Sequence, residues 1–190
     1  LADYTDRPAL ERIVGESLAQ HPAQILVNNT GGPPPGAIEL ATEAAFLDTF
    51  GQHLLCNQLL TRLCLPGMRA AGYGRIVNVI STSVKEPIKG LGVSNTVRGA
   101  VASWAKTLAT ELAPEGIRVN GMAPGLVDTK LTKVTTQNPK RLEGALASIP
   151  MRRLGTPTDM AGAVLFLASP LGAYMAGQTL NCDGGLSLAR

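Results

Sequence analysis

Along the chain, short runs that are apolar throughout alternate with longer stretches whose apolar residues recur every three or four positions. The short runs, Ile25–Asn28, Arg75–Ile80, Arg118–Ala123 and Gln178–Cys182, are rich in β-branched residues and predict buried strands. The longer stretches predict helices. Leu10, Ile13, Val14 and Leu18 form one stripe, opened by Thr5 or Asp6 as cap with Pro8 in the first turn. A second helix starts near Thr42, carries Leu54, Leu55, Leu59, Leu60 and Leu63, and stops at Pro66-Gly67; Gly51 and His53 are points at which it can bend. A third runs from about Ser94 to Leu112, with Val97, Val101, Trp104, Ala105 and Leu108 on one side and Pro114 and Gly116 at its end. The fourth, Pro157 to Ala168, turns Ala161, Val164, Leu165 and Ala168 inward.

Strands apolar on both faces, alternating with helices, predict a parallel sheet covered on both sides: a doubly wound, Rossmann-type three-layer α/β/α fold. No linker, repeat or low-complexity tract divides the chain, so residues 1–190 read as a single domain. Residues 130–150 are polar and weakly periodic, and they read as a flexible substrate flap.

Composition narrows the function classes. The 190 residues are 45% apolar, enough for a sizeable core, and the net charge of +3 is dispersed. The longest cationic cluster is Arg152-Arg153, too short for a nucleic-acid track. No run of eighteen apolar residues predicts a membrane span, and the first residues lack the pattern of a signal peptide. Cys56, Cys64 and Cys182 have no metal-ligand spacing and read as buried thiols of a reducing cytoplasm; no metal site is expected.

In such sheets ligands bind beyond the carboxyl ends of the strands. Three turns fall there: Asn28-Asn29-Thr30-Gly31, Ser81-Thr82-Ser83 and Pro124-Gly125. Small polar residues at three neighbouring strand ends form the floor of a crevice; taken singly, each is also an ordinary turn. With their flanking runs, ILVNNTGG, GRIVNVIS, RVNGMAPGLVDT and GQTLNCDGG, these turns resemble, in order and register, the short-chain dehydrogenase/reductase family. Nearly the whole chain takes part. Thr30 stands where the family's Asn-Asn-Ala-Gly motif has Ala.

The resemblance implies an oxidoreductase that transfers a hydride between NAD or NADP and a ketone or secondary alcohol, with a 3-oxoacyl substrate as one option. It places Asp3, at the end of a truncated strand, and Tyr4 beside the adenine. Asn29 and Gly31 fall along the ribose, and Pro124, Gly125, Val127 and Thr129 around the nicotinamide. It gives Asn28 a structural role tying strands together. It also implies a homodimer or homotetramer through helices 42–66 and 94–112, with Trp104 and Leu59 as interface candidates and simple core packing as their alternative.

Two departures from the family stand out. No Gly-rich turn precedes Asp3, so the strand–helix units that hold the pyrophosphate are absent from these residues. The GGPPPG loop cannot replace them, because its three prolines lack amide donors; it reads as a stiff wall of the substrate side. The resemblance therefore predicts a longer natural protein, and a first strand, Ile25–Asn28, left as an apolar edge. The second departure is in the catalytic set. Ser81 keeps the family's serine, thirteen residues before Ser94. Ser94 falls at the family's tyrosine, Arg98 at its lysine and His53 at its asparagine.

An aliphatic hydroxyl is a far weaker acid than a phenol, and an arginine does not relay protons. Arg98 can still hold ribose hydroxyls, or it can make a structural ion pair. Proton donation then falls to His53 or to a water held by Ser81 and Ser94. Each residue also has a structural reading, His53 as a buried or helix-bend histidine and Ser94 as an N-cap. The competing function is a catalytically impaired relative that binds a nucleotide or metabolite, or acts structurally.

Overall fold

A computed structural model describes residues 2–188. Four strands, β1 (Ile25–Asn28), β2 (Gly74–Val79), β3 (Ile117–Pro124) and β4 (Thr179–Cys182), pair in parallel in that order. The predicted strands coincide with these to within a residue or two at each end. Parallel pairing requires each crossover to return over a face of the sheet, and the crossovers here are helical. On one face, Cys64 and Met68 of α3 (Cys56–Ala71) and Ala105, Ala109 and Leu112 of α4 (Gly92–Leu112) pack on Ile76, Ile117 and Val119. On the other, Leu167 and Ala168 of α7 (Pro157–Ala168) pack on Val77 and Met122. The period of two along β2 and β3 thus feeds two separate apolar layers, and the architecture is α/β/α.

Helix α1 (Arg7–Gln20) is capped by Asp6, whose carboxylate accepts from the Ala9 amide at 3.0 Å, with Pro8 in its first turn. The long helix expected over 42–66 is built in three pieces. Thr42 caps α2 (Glu43–Phe50), a π-helical segment spans Gly51–Leu55, and α3 follows. The expected stop at Pro66-Gly67 does not occur. Helix α3 carries Pro66 in its interior and ends at Gly72, which adopts φ +59. Pro66 forfeits one amide bond, but stopping there would strip the fully buried Met68 from the core, and tertiary packing prevails over the local breaker.

Helix α4 starts two residues before the expected Ser94. Its N-cap is Leu91, with no side-chain cap, so Ser94 lies in the first turn and does not serve as N-cap. A short 3₁₀ turn over Ala113–Glu115, with Pro114, then leads to Gly116 at φ +78. In α7 the buried side is displaced from expectation. Met160, Ala163, Val164 and Leu167 pack inward with Ala168, whereas Leu165 is 70% exposed and Ala161 is also exposed.

The expected flap is mostly helical: a 3₁₀ turn Lys130–Thr132, α5 (Lys133–Thr136) and α6 (Pro139–Ser148), the last capped by Asn138. Strand β1 forms one edge of the sheet among the described residues, with Ile25 49% and Val27 42% exposed. Ala2 and Asp3 form no strand, so the strand end expected at Asp3 is a loop that runs into the turn before α1.

Candidate active site

Beyond the carboxyl ends of β1 and β2, four of the expected residues come together. Arg98, one turn after Ser94 on α4, reaches the carboxyl end of β2. Its Nη1 donates to the carbonyls of Val79 and Ile80, each at 3.1 Å, and its Nε donates to the Ser94 hydroxyl at 3.3 Å. Those two carbonyls lead directly into Ser81, so serine and guanidinium share one strand end. Ser81 in turn accepts the Ser83 amide at 3.1 Å, which uses an oxygen lone pair and leaves its O–H to donate. Burial lowers the Arg98 pKa from its ordinary value.

His53 reaches the same crevice because of the helix break. The π segment shifts the register between α2 and α3, and such insertions commonly mark functional positions. The imidazole is 3% exposed and its Nδ1 lies 2.5 Å from the Thr30 hydroxyl. Desolvation first, and then the Arg98 charge, push its pKa down to about 4, against a smaller upward pull from the Gly31 backbone. His53 is therefore neutral at pH 7. Its partner Thr30 is the site residue that sequence reasoning passed over. The available signal was a hydroxyl where the family motif has Ala, but the contact spans 23 positions and only the fold reveals it.

The remaining residues form two flanks. On one side, Asn29 and Gly31 are exposed in the loop after β1, and Gly32 passes close enough that a Cβ there would lie 3.9 Å from Arg98 Nη2. Farther along, Asp3 and Tyr4 line a shallow cavity of about 530 Å³ with Gln52, the neighbour of His53. One Asp3 carboxylate oxygen accepts the Thr5 amide at 2.8 Å, the bond that holds its pKa down. The Tyr4 side chain is half-buried against Leu10, Cys56 and Leu60, so it serves the core as much as the cavity. Asn28 has the structural role expected of it: its amide donates to Asn78 Oδ1 at 2.9 Å, between paired strands.

On the other side, Pro124 and Gly125 end β3 beside β4. The Gly125 amide donates to the Cys182 carbonyl at 3.0 Å, and a Cβ at Gly125 would meet Asp183 at 2.7 Å, so only glycine fits. Val127 bridges Gly155, and Thr129 is locked to Thr132 by a reciprocal capping box. This flank stands at the same rim of the sheet, since the Ile80 amide donates to the Met122 carbonyl at 2.8 Å. Among the described residues no hydrogen bond joins it directly to Ser94 or His53. Among the described residues no cluster of three His, Cys, Asp or Glu side chains could hold a metal ion, and no helix is long and apolar enough to cross a membrane.

Comparison with known proteins bears out the fold. The family model described as enoyl-(acyl carrier protein) reductase matches residues 1–187. Human dehydrogenase/reductase SDR family member 4 is 35% identical over 177 residues, 92% of this chain and 64% of that protein. The 3-oxoacyl-[acyl-carrier-protein] reductase of Vibrio cholerae is 36% identical over 164 residues, 85% of this chain and 66% of its own length. Among solved structures, a putative NAD(P)-dependent gluconate 5-dehydrogenase from Beutenbergia cavernae with bound NADP superposes with a TM-score of 0.93 at 32% identity. It covers 100% of this chain, which in turn spans 76% of that structure. The chain thus spans about two thirds to three quarters of the length of these relatives. A parallel sheet with its polar turns at one rim, a match along almost the entire chain and relatives above 30% identity together establish that the chain belongs to the short-chain dehydrogenase/reductase family.

Proposed function

We propose that the protein is an NAD(P)-dependent oxidoreductase that interconverts a ketone and a secondary alcohol. The observation that carries this is the pair of serine hydroxyls beside one guanidinium. Ser81 and Ser94 each have an oxygen lone pair already engaged, by the Ser83 amide and by Arg98 Nε. Both O–H groups are thereby left to donate toward a carbonyl oxygen that gains negative charge.

The residues fit the cofactor along two of its three parts. Asp3 retains a free carboxylate oxygen toward an adenine, and Asn29, Gly31 and Arg98 offer backbone and guanidinium donors to a ribose. Pro124, Gly125, Val127 and Thr129 wall the nicotinamide end. No glycine-rich turn for the pyrophosphate lies among residues 2–188. When bound, the nicotinamide supplies or accepts the hydride; every other task falls to the side chains. NAD and NADP are both compatible with this set.

With a pKa of about 4, about one His53 in a thousand is protonated at pH 7, too few for a cationic proton donor. We assign His53 to positioning the Thr30–Gly31 loop, and proton delivery to a water held by Ser81 and Ser94. Hydroxyl donors of this kind stabilise an alkoxide without giving up their own protons, which suits slow turnover. The substrate class includes 3-oxoacyl compounds, the type named for the Vibrio cholerae relative. The reading extends to a homo-oligomer in the cytoplasm. Exposed Leu47, Phe50 and Leu55 along α2 and the π segment support the first, and three free cysteines support the second. Trp104 and Leu59 are half-buried in the core and contribute to such an interface only with their outer edges.

Consumption of reduced nicotinamide cofactor over a panel of ketones tests the proposal. Ser81→Ala is expected to lower kcat about 10²-fold. A Ser81→Ala protein as active as the parent would refute it. The replaced tyrosine and lysine favour a second reading, a relative that binds a nucleotide or metabolite without turning it over; tight cofactor binding with no turnover on any carbonyl would establish that reading instead.

A further inference from the structure

The turn that carries Ser81 continues into Ser83, and Ser83 lines a cavity of about 710 Å³, the size of a small-molecule site. The cavity opens on a different side of α4 from the candidate active site. Successive helix residues point about 100° apart, so Asn95 and Gly99, which line it, face away from Ser94 and Arg98. No residue assigned above to the cofactor or to the reacting oxygen contributes to its wall.

The hollow is built by the chain and held open. A parallel bridge between Gly36 and Leu91, with the Gly36 amide donating to the Gly90 carbonyl at 2.7 Å, ties the loop after β1 to the turn before α4. Ile38 lies so close over Gly92 that a Cβ there would meet its own at 2.3 Å. At Gly90 and Gly99, by contrast, a Cβ would meet nothing within 4 Å, so absent side chains leave the space free. Val84, Pro87 and Ile88 make the lining largely apolar, and Ile38 keeps 52% of its surface uncovered.

Two polar residues of the wall carry buried atoms with no partner among the described residues. Ser83 is 4% exposed and its Oγ makes no hydrogen bond; the Oδ1 of Asn95 is buried and unbonded as well. The Asn95 amide nitrogen donates to the Ile88 carbonyl at 2.9 Å, which fixes that side chain and leaves Oδ1 as an acceptor in want of a donor. The Ser83 hydroxyl can play either part. Buried polar atoms are almost always paired, so two orphans in the wall of one cavity point to a ligand that pairs them. Glu39 and Lys89, exposed and of opposite charge, leave the lining without a net charge to attract an ion.

We infer that this cavity is a second small-molecule site, for a neutral ligand with an apolar body and a head group that both donates and accepts, such as a primary carboxamide. The inference does not rest on the oxidoreductase reading.

Heteronuclear NMR titration of the labelled protein with hexanamide, N,N-dimethylhexanamide and acetamide tests it. Hexanamide is expected to shift the amides of Ser83, Asn95 and Gly99 to saturation, and to bind about tenfold more tightly than the dimethyl amide, which has no N–H for Asn95. It should also bind at least about tenfold more tightly than acetamide, because its longer chain is buried. Gly99→Leu fills the open space and is expected to abolish binding with an unchanged circular dichroism spectrum. Asn95→Leu is expected to remove the preference for hexanamide over its dimethyl form. Should either variant fail to fold, Ser83→Ala takes its place, with several-fold weaker binding of hexanamide alone. Shifts that do not saturate, shifts centred on Ser94, Arg98 and Gly125, equal binding of the two hexanamides, or binding that survives Gly99→Leu would each overturn the inference. So would a protein that ignores hexanamide and changes its sedimentation on Gly99→Leu, since a second copy of the chain would then cover the cavity.

Discussion

His53 ties the stability of the fold to pH in a way that can be measured. In the unfolded chain an imidazole titrates near 6.5; in the folded one His53 is held to about 4, chiefly by desolvation and then by the Arg98 charge. Above pH 6.5 neither state binds the proton and this group adds no pH dependence. As the pH falls from 6.5 toward 4, the unfolded chain takes up a proton that the folded one refuses, so folding stability drops with acid. At roughly 1.36 kcal/mol per pH unit, the loss reaches about 3 kcal/mol near pH 4 and levels off below it. Carboxylates titrate at the lower end of this window, so the clean comparison is with His53→Asn, which cannot titrate and restores the family's residue. Urea unfolding of both proteins from pH 7 to pH 4 should show the parent losing about 3 kcal/mol more than the variant. A difference that stays constant across this range would refute the reasoning, because the imidazole would then titrate alike in both states.

Other perturbations follow from the same structure. Gly116→Ala forces a side chain into φ +78, with its Cβ 2.5 Å from the Gly72 carbonyl oxygen, and should cost at least about 2 kcal/mol in chemical denaturation. Asn120→Ala leaves the Met175 carbonyl and the Gln178 amide without their bonds of 2.9 and 3.0 Å, and should cost about 2–3 kcal/mol, read as a lower denaturation midpoint. Ser94→Tyr combined with Arg98→Lys restores the family's acid and its tuning cation, and should raise kcat by about 10²-fold or more in a cofactor-consumption assay, with no gain from either change alone.

The strands were legible because each is a run of β-branched and apolar residues too short for a helix; the register pairs Val77 with Asn120 and Ile76 with Val119 across β2 and β3. Helix faces were less so. In α7 almost every position is apolar, so periodicity cannot tell Leu165, which faces out, from Leu167, which faces in. Pro66 misled for a different reason: a local breaker lost to the burial of Met68 two residues later. Helix α6 was legible as well: Leu142, Ala145 and Leu146 form a short stripe leading to the buried Ile149, and Asn138-Pro139, its cap and first residue, was a start signal in plain view. For the site, position along the chain located Ser81, Ser94, Arg98 and His53. Their bonding depended on contacts such as Thr30 to His53, which no spacing rule predicts.

The residues read from the sequence as departures from the family motif, Thr30, His53, Ser94 and Arg98, are neighbours in space. Here Arg98 donates to Ser94 and to the strand end that carries Ser81, and its charge helps to keep His53 neutral. Neutral His53 in turn pairs with Thr30, itself a departure. Each altered residue meets a need created by another: the guanidinium needs acceptors and a neutral neighbour, the buried imidazole needs a hydroxyl, and the serine gains a donor to hold its oxygen. A set of four substitutions that satisfy one another's polar groups in a half-buried crevice is a coherent arrangement. Such mutual satisfaction is what a low-dielectric crevice demands, because a polar group left unpaired there is costly.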